Sequence, residues 1–433
     1  MNILFLTLSR SVALIEKRSI YSDLMREFVN NGHEIYIMNA NERCYGHPTQ
    51  IFEYPHVKIL RVRTLNIQKT NVIEKGIGTL SLEYLFKKAI KRYWNNIKFD
   101  LVLYSTPPIT FNNVIEYVKK KYGAKSYLLL KDIFPQNAVD LGMFSKSSFI
   151  YKMFRKKEER LYQISDFIGC MSPANVKYVL EHNPFEDAKK VEVCPNSIEI
   201  FQGTSIDCPK DTQKMLKGTQ MDAEGLKDTQ MTLMVADNAD KKALFEKYGI
   251  PLDKTIFIYG GNLGKPQGID FLLKVVEANE KSENSFIAIV GSGTEFHRIE
   301  NWFKEHHPKN ALLKSVLPKS DYDRLVSSCD VGLIFLDSRF TIPNYPSRLL
   351  SYLENKMPII MATDKNTDIG SIAHNNGYGE WVESGDLDGF MAMMDKLSSN
   401  AQLRKEMGEK GYQFLLNNYT VTHSYNIIMR HFM

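Results

Sequence analysis

Tyr259-Gly260-Gly261-Asn262-Leu263-Gly264-Lys265-Pro266-Gln267-Gly268 stands between an apolar run at 255–259 and a run of helical period at 269–276. Read together they predict a strand, a glycine turn and a helix, the unit from which parallel α/β sheets are built. Glycines at such a turn let the backbone come close to a phosphate, and the free N–H groups at the start of the following helix are donors for it. Lys265 adds a mobile cation. A tight turn kept only for its connection geometry is the alternative at this point.

Working outward, apolar runs at 285–290, 311–316, 331–335 and 358–361 alternate with helical stretches and close on a helical segment at 403–418. The first half repeats the pattern, with candidate strands at 3–8, 34–38, 57–61, 101–104, 125–130 and 167–170, and a further run at 191–194. Between the first two lies a predicted helix at 20–30, with Ile20, Leu24, Met25 and Phe28 on one face and Gly32 closing it. The expected fold is therefore α/β, with two Rossmann-like domains facing a central cleft, because ligands of open α/β sheets bind at the carboxyl ends of the strands. The expected organisation is an N-terminal domain at 1–200 and an inserted polar linker at 201–240. A second domain at 241–418 follows, and then a segment at 419–433 that crosses back. The linker is read from the near-repeat Lys210-Asp-Thr-Gln, Lys217-Gly-Thr-Gln and Lys227-Asp-Thr-Gln.

With 433 residues, 43% hydrophobic and 24% charged, the chain has ample apolar surface for two cores and no global signature of disorder. A net charge of +5 without a basic tail argues against a nucleic-acid partner. Five cysteines (Cys44, Cys170, Cys194, Cys208 and Cys329), scattered and never in C-x-x-C spacing, argue against a disulfide framework or a zinc site and point to a reducing, cytoplasmic setting. The opening apolar run is too short for a secretory segment, and no run of about 18 apolar residues would span a bilayer. The first strand leads into Ser9-Arg-Ser-Val rather than a glycine fingerprint, which disfavours a dinucleotide-dependent oxidoreductase.

Two further motifs lie in the second half. Val290-Gly291-Ser292-Gly293-Thr294-Glu295 is another glycine turn after a strand, weak alone and stronger beside the first. Asn344-Tyr345-Pro346-Ser347-Arg348-Leu349-Leu350-Ser351-Tyr352-Leu353-Glu354 reads as a helix start, with Ser347 able to cap it and Arg348 a forked cation suited to phosphate. Together with Pro358-Ile359-Ile360 and the stretch from Gly377 to Asp386, these resemble the family-4 retaining glycosyltransferases of the GT-B fold. The likeness spans nearly the whole chain outside the linker and includes Ile20-Tyr-Ser-Asp-Leu-Met, Gly32-His33-Glu34 and Lys131-Asp132-Ile-Phe-Pro135-Gln136. It is strongest to the fucosamine-transferase-like enzymes of bacterial capsule and O-antigen assembly.

The resemblance implies that Gly261, Gly264, Lys265, Gly268, Gly291, Gly293, Ser347, Arg348 and Leu349 form the donor site. Asn262 and Gln267 stand in the first turn where many members carry Arg and Lys, leaving Lys265 and Arg348 as the main phosphate cations. The family's paired glutamates fall on Pro343 and Ser351, which makes a deoxy- or acetamido-sugar donor a reasonable expectation. Transfer with retention is implied too, the departing phosphate oxygen assisting the acceptor proton while the protein positions both substrates.

For catalysis the expectation is Asp132, which follows the strand at 125–130 and could orient or deprotonate an acceptor hydroxyl. A cap or an ion pair is the structural alternative. Asp321-Tyr-Asp323 and Asp386-Leu-Asp388 spell a metal signature but read better as acidic helix starts. No metal and no cofactor is expected, His33 reads as structural, and the pair His306-His307 falls in a charged, solvated stretch.

Residues 85–94 and 143–160 interleave cations with aromatics, a composition suited to an anionic membrane surface. The expected docking side comprises Lys87, Lys88, Phe149, Phe154, Arg155 and Lys156, with two ordinary amphipathic helices as the alternative. The partners expected are a nucleotide-sugar donor, UDP being the commonest choice, and a polyprenyl-diphosphate-linked sugar or growing surface glycan as acceptor. The enzyme would sit in the cytoplasm, peripheral on the inner face of the membrane. A nucleotide-sugar epimerase of similar architecture and a non-catalytic scaffold partner of another transferase are the competing readings.

Overall fold

The computed structural model describes residues 1–9, 12, 14–67, 70, 72–200 and 238–432. The polar near-repeat and Cys208 lie outside the described residues. The chain divides into two units, Met1–Glu199 with Thr420–Met433, and the described part of Met221–Tyr419.

The first unit runs β1 (Asn2–Thr7), α1 (Ile20–Asn30), β2 (Glu34–Glu42), β3 (Gln50–Tyr54), β4 (Val57–Thr64), α2 (Val72–Tyr93), β5 (Leu101–Ser105), α3 (Asn112–Tyr122), β6 (Lys125–Leu130), α4 (Gln136–Asp140), α5 (Phe149–Ile164), β7 (Phe167–Cys170), α6 (Pro173–His182) and β8 (Val191–Val193). Its eight strands lie in the order β3-β4-β2-β1-β5-β6-β7-β8. All pairs are parallel except β3 with β4. Central strands such as β1 are buried on both faces, as a sheet sandwiched by helices requires. Ser19 fixes the start of α1, its hydroxyl accepting from Ser22 N at 3.1 Å while its own N–H donates to Asp23 Oδ1 at 3.0 Å.

The second unit runs α7 (Asn238–Tyr248), β9 (Thr255–Asn262), α8 (Ile269–Ala278), β10 (Ser285–Ser292), α9 (Phe296–His306), β11 (Ala311–Lys314), α10 (Lys319–Ser328), β12 (Val331–Phe335), α11 (Arg348–Glu354), β13 (Ile359–Thr363), α12 (Ile369–Asn375), β14 (Gly379–Glu383), α13 (Leu387–Ser398) and α14 (Ala401–Asn418). Its strands, all parallel, lie in the order β11-β10-β9-β12-β13-β14. Phe257, Tyr259, Ile287, Ile289, Leu333 and Phe335 from the central strands pack on Leu272, Val275 and Val276 of α8 and Phe390 of α13.

The chain then returns to the first unit as α15 (Val421–Met429). Ile198 bridges Thr420 and accepts from Val421 N at 3.1 Å, and Tyr425, Ile428 and Met429 join the core built on Ile3, Phe5 and Phe28.

Candidate functional site

In the second sheet the strand order reverses between β9 and β12, and at such a switch point connections leave in opposite directions and open a crevice at the carboxyl ends. Both glycine turns and the segment after β12 lie there. Leu263 N donates to Ser292 O and Glu295 N to Leu263 O, both at 2.9 Å, stitching the first turn to the second. Asp337 N donates to Pro266 O at 3.0 Å, tying the first turn to the segment after β12.

This close approach explains several glycines before any ligand is considered. A Cβ on Gly291 would lie 1.8 Å from Gly261 O, and one on Gly293 would lie 2.2 Å from Leu263 O. Gly268 has φ +53 and its Cβ would meet Leu336 O at 2.9 Å. Gly261 differs, since its φ of +122 demands glycine while the nearest group to its open side is the Arg348 guanidinium, at 3.8 Å. Gly264 has only the Asn262 and Pro266 side chains beside it.

Arg348 is the focus of the site. Its Nη2 donates to Gln267 Oε1 at 2.6 Å, and its guanidinium carbon sits 4.4 Å from the centre of the Tyr259 ring. Nη1 is buried, with no hydrogen-bond partner among the described residues. The Tyr259 hydroxyl donates to Asn262 O at 2.7 Å, with Gln267 Oε1 at 3.3 Å. One turn along α11 from Arg348, the Tyr352 hydroxyl accepts from Gly260 N and donates to Ile258 O, each at 3.1 Å. Burial pushes the Tyr259 and Tyr352 phenols up, so both are neutral hydrogen-bonding groups. Tyr322 of α10 closes the other side of the strand end, since a Cβ on Gly260 would fall 2.0 Å from its hydroxyl.

The remaining donor-site residues separate by environment. Lys265 and Asn262 are exposed, and Lys265 makes no ion pair among the described residues. Ser347 occupies the cap position of α11 but makes no side-chain capping bond, because its backbone is helical rather than extended. Leu349 is on the buried face of α11. Pro343 is buried and Ser351 half-buried, and neither side chain carries a carboxylate.

In the first unit Asp132 follows the carboxyl end of β6. Its N–H donates to Thr106 Oγ1 at 3.1 Å, and its Oδ1 accepts from Asn137 Nδ2 at 2.8 Å. Burial raises the Asp132 carboxyl above its ordinary range, against the lowering effect of the Asn137 bond. No ion pair with Lys131 forms: Lys131 turns to Cys194 O at 3.2 Å, and burial brings its ammonium down to about 8. Thr7 and Ser105, at the ends of β1 and β5, bond to each other at 3.3 Å.

The other acidic and histidine motifs are occupied. Asp321 pairs with Lys247 at 2.6 Å and with the Tyr248 hydroxyl, and Asp323 pairs with Lys319 at 2.7 Å. Asp386 caps α13, accepting from Gly389 N at 3.0 Å. Buried His33 bonds the Tyr425 hydroxyl at 3.0 Å, and His306 stacks on Trp302.

Of the expected docking side, Lys88, Phe149 and Lys156 are exposed and Phe149 is 80% accessible. Phe154 instead packs edge-on against Phe134, with centroids 5.0 Å apart. Arg155 is also engaged within the unit, bonding Glu158, Glu159, His182 O and Asn183. Lys87, half-buried, leans over Tyr117, and with Asn113, Glu116, Lys120 and Lys121 these residues line a hollow of 320 Å3. Ile77, Leu80 and Tyr84 are exposed apolar side chains on α2, and Tyr84 is 66% accessible. None of the described helices is long and apolar enough to cross a membrane.

Sequence reasoning gave no role to Tyr259, Tyr322 and Tyr352. The i, i+4 spacing of Arg348 and Tyr352 puts both on one helix face and was a usable signal. Tyr322 lies between the two aspartates of a motif that reads as an acidic helix start, and nothing in the sequence marks it out.

Residues 240–414 match the model of the family described as Glycosyl transferases group 1. A probable glycosyltransferase of Pseudomonas aeruginosa, WbjE, is 21% identical over 320 residues, covering 72% of this chain and 68% of that one. Among solved structures, sucrose-phosphate synthase from Thermosynechococcus elongatus superposes with a TM-score of 0.72 at 14% identity, over 100% of this chain and 98% of that one. Anabaena Alr3699/HepE, solved in complex with UDP, gives 0.66 at 11% identity over 100% and 99%. Two α/β units and likeness over full length to these solved structures agree on a chain of GT-B architecture, and its residues 240–414, which include Arg348, match the glycosyl transferases group 1 family.

Proposed function

We propose that this chain is a retaining glycosyltransferase that moves a hexosyl-type sugar from a nucleoside-diphosphate donor, UDP-linked, to a lipid-linked or growing surface glycan. The observation that carries this reading is the meeting of the two glycine turns with Arg348 at the switch point of the second sheet. That arrangement offers a forked cation, an exposed lysine and side-chain-free backbone at one end of the sheet, which is the chemistry a diphosphate needs. The UDP held by the structurally similar HepE supports the choice of nucleotide.

Charge that builds on the leaving diphosphate is met by Arg348 and Lys265, and the departing oxygen assists the acceptor proton. Asp132 orients or deprotonates the acceptor hydroxyl from the first unit. Without carboxylates at Pro343 and Ser351, a deoxy- or acetamido-sugar fits better than a fully hydroxylated one. The acceptor is a polyprenyl-diphosphate-linked sugar of capsule or O-antigen assembly, reached by docking on an anionic membrane through α2, α3 and the start of α5. The epimerase and scaffold readings find no such support.

Thermal unfolding against UDP, ADP, GDP, CDP and dTDP tests the core of this. Ligand at a hundred times its Kd stabilises the folded form by about 2.7 kcal/mol, so at least one diphosphate raises the melting point clearly. No shift and no calorimetric heat with any of the five would remove the donor site, and the transferase reading with it.

A further inference from the structure

We infer that Tyr259, assisted by Gln267, is a positioning residue that holds the Arg348 guanidinium in the orientation required for diphosphate binding. The inference rests on the proposed donor-site reading and extends it to a residue that touches no substrate.

Arg348 is otherwise poorly restrained. It is the first residue of its helix, its side chain is long, and no carboxylate pairs with it among the described residues. An arginine left to its rotamers loses entropy on every binding event, and a pre-ordered one does not. Tyr259 supplies that order in two ways. Its buried ring lies under the guanidinium at 4.4 Å, a cation–π contact that fixes the plane of the fork. Its hydroxyl bonds Asn262 O at 2.7 Å and lies 3.3 Å from Gln267 Oε1, the acceptor for Arg348 Nη2.

The consequence is a division of labour within one guanidinium. Nη2 is tied to Gln267, while Nη1 is buried and has no hydrogen-bond partner among the described residues. An unpaired buried donor is costly, and an anion is the partner that best relieves it. Gln267 suits the tether because a neutral amide accepts a hydrogen bond without cancelling the arginine's charge, as a glutamate would.

The test is a double-mutant cycle on the full chain, with binding of UDP and of uridine measured in parallel by calorimetry and ligand-observed NMR. Tyr259→Leu is expected to weaken UDP about 10- to 50-fold and Gln267→Ala about 3- to 10-fold, both leaving uridine within about twofold, since uridine has no phosphate for Arg348 to hold. In an Arg348→Met background neither change is expected to weaken UDP further by more than about twofold, because a residue acting through Arg348 has nothing left to act on. Costs that multiply in the double variants, or uridine weakened as much as UDP, overturn the inference while leaving the donor site intact. A wild-type chain that binds none of the nucleoside diphosphates overturns the donor-site reading and this inference together. Should Tyr259→Leu fail to fold, Tyr259→Phe and Gln267→Ala carry the cycle: the phenylalanine keeps the ring and costs UDP binding about 2- to 5-fold. No loss in either single variant is a negative result.

Discussion

At Arg348 a lysine would keep the charge and lose the fork. One guanidinium nitrogen is bound to Gln267 and the other is unpaired among the described residues, so the planar group can hold Gln267 and a phosphate at once. Hydrogen bonds to charged groups are worth about 1.5–3 kcal/mol, and Arg348→Ala should weaken UDP about 10- to 100-fold by calorimetry. Arg348→Lys should recover less than half of that loss in free energy, because an ammonium cannot bridge Gln267 and a phosphate together. Asp132 raises a different question, that of a charge kept where it is expensive. Burial lifts its carboxyl above the ordinary range, so the folded state resists its ionisation. Stability therefore falls as pH rises through that raised value, and below the ordinary carboxylate range the penalty is gone. Asp132→Asn should melt higher than wild type at neutral pH and converge with it in acid, while transfer slows about 100-fold or more. Equal melting points across the whole pH range would show that ionisation of Asp132 costs the fold nothing.

Elements decide why the glycines are where they are. Gly291 and Gly293 serve the packing of one turn against another, whatever is bound, because their Cβ atoms would overlap the carbonyls of Gly261 and Leu263. Gly291→Ala should destabilise the second unit by about 1–3 kcal/mol and weaken UDP along with it, whereas Gly264→Ala, beside a movable Asn262 amide and in ordinary contact with Pro266, should do little of either in the same melts and titrations. The strand-turn-helix order around both turns was legible from apolar runs and glycines alone. What escaped was what needs a partner strand or helix to exist. β3 is a half-exposed edge strand, Gln50–Tyr54, whose alternation is too short to separate from a loop until β4 pairs with it. Residues 143–160 interleave cations with aromatics, which suits a membrane surface or an ordinary amphipathic helix, and periodicity does not show that Phe154 turns in to Phe134 and Arg155 to Glu158. Exposed Ile77, Leu80 and Tyr84 on α2 were missed because they interrupt no pattern. Sedimentation with vesicles rich in anionic lipid should separate the two sets. Charge reversal at Lys88, Lys120 and Lys121 should reduce binding several-fold without changing the melting point, while reversal at Arg155 should lower the melting point first. Vesicle binding unaffected by the triple reversal would end the docking proposal.

On the scale of the whole molecule, the last helix belongs to the unit that the chain left more than two hundred residues earlier. Val421, Tyr425, Ile428 and Met429 are buried against the first unit, and the final turn is tied to Glu192 by Arg430 and His431. His33 sits at the centre of this junction, its Nε2 3.0 Å from the Tyr425 hydroxyl and its Nδ1 3.4 Å from the Met1 ammonium. With the ammonium donating to Nδ1, the ring is neutral and donates from Nε2 to Tyr425. Burial first, and then the neighbouring positive charge, hold the imidazole below its ordinary value. In the unfolded chain the same histidine takes up its proton near the usual range, so acid favours unfolding. The stability His33 contributes is present above that range and is lost as pH falls from it toward the depressed folded value. Between about pH 7.5 and pH 5 the wild-type chain should therefore lose more thermal stability than His33→Gln, whose side chain can still bond Tyr425 but does not titrate. The other histidines and carboxylates are common to both proteins and cancel in the comparison, so parallel losses would mean that His33 is not the group through which acid loosens the returning helix.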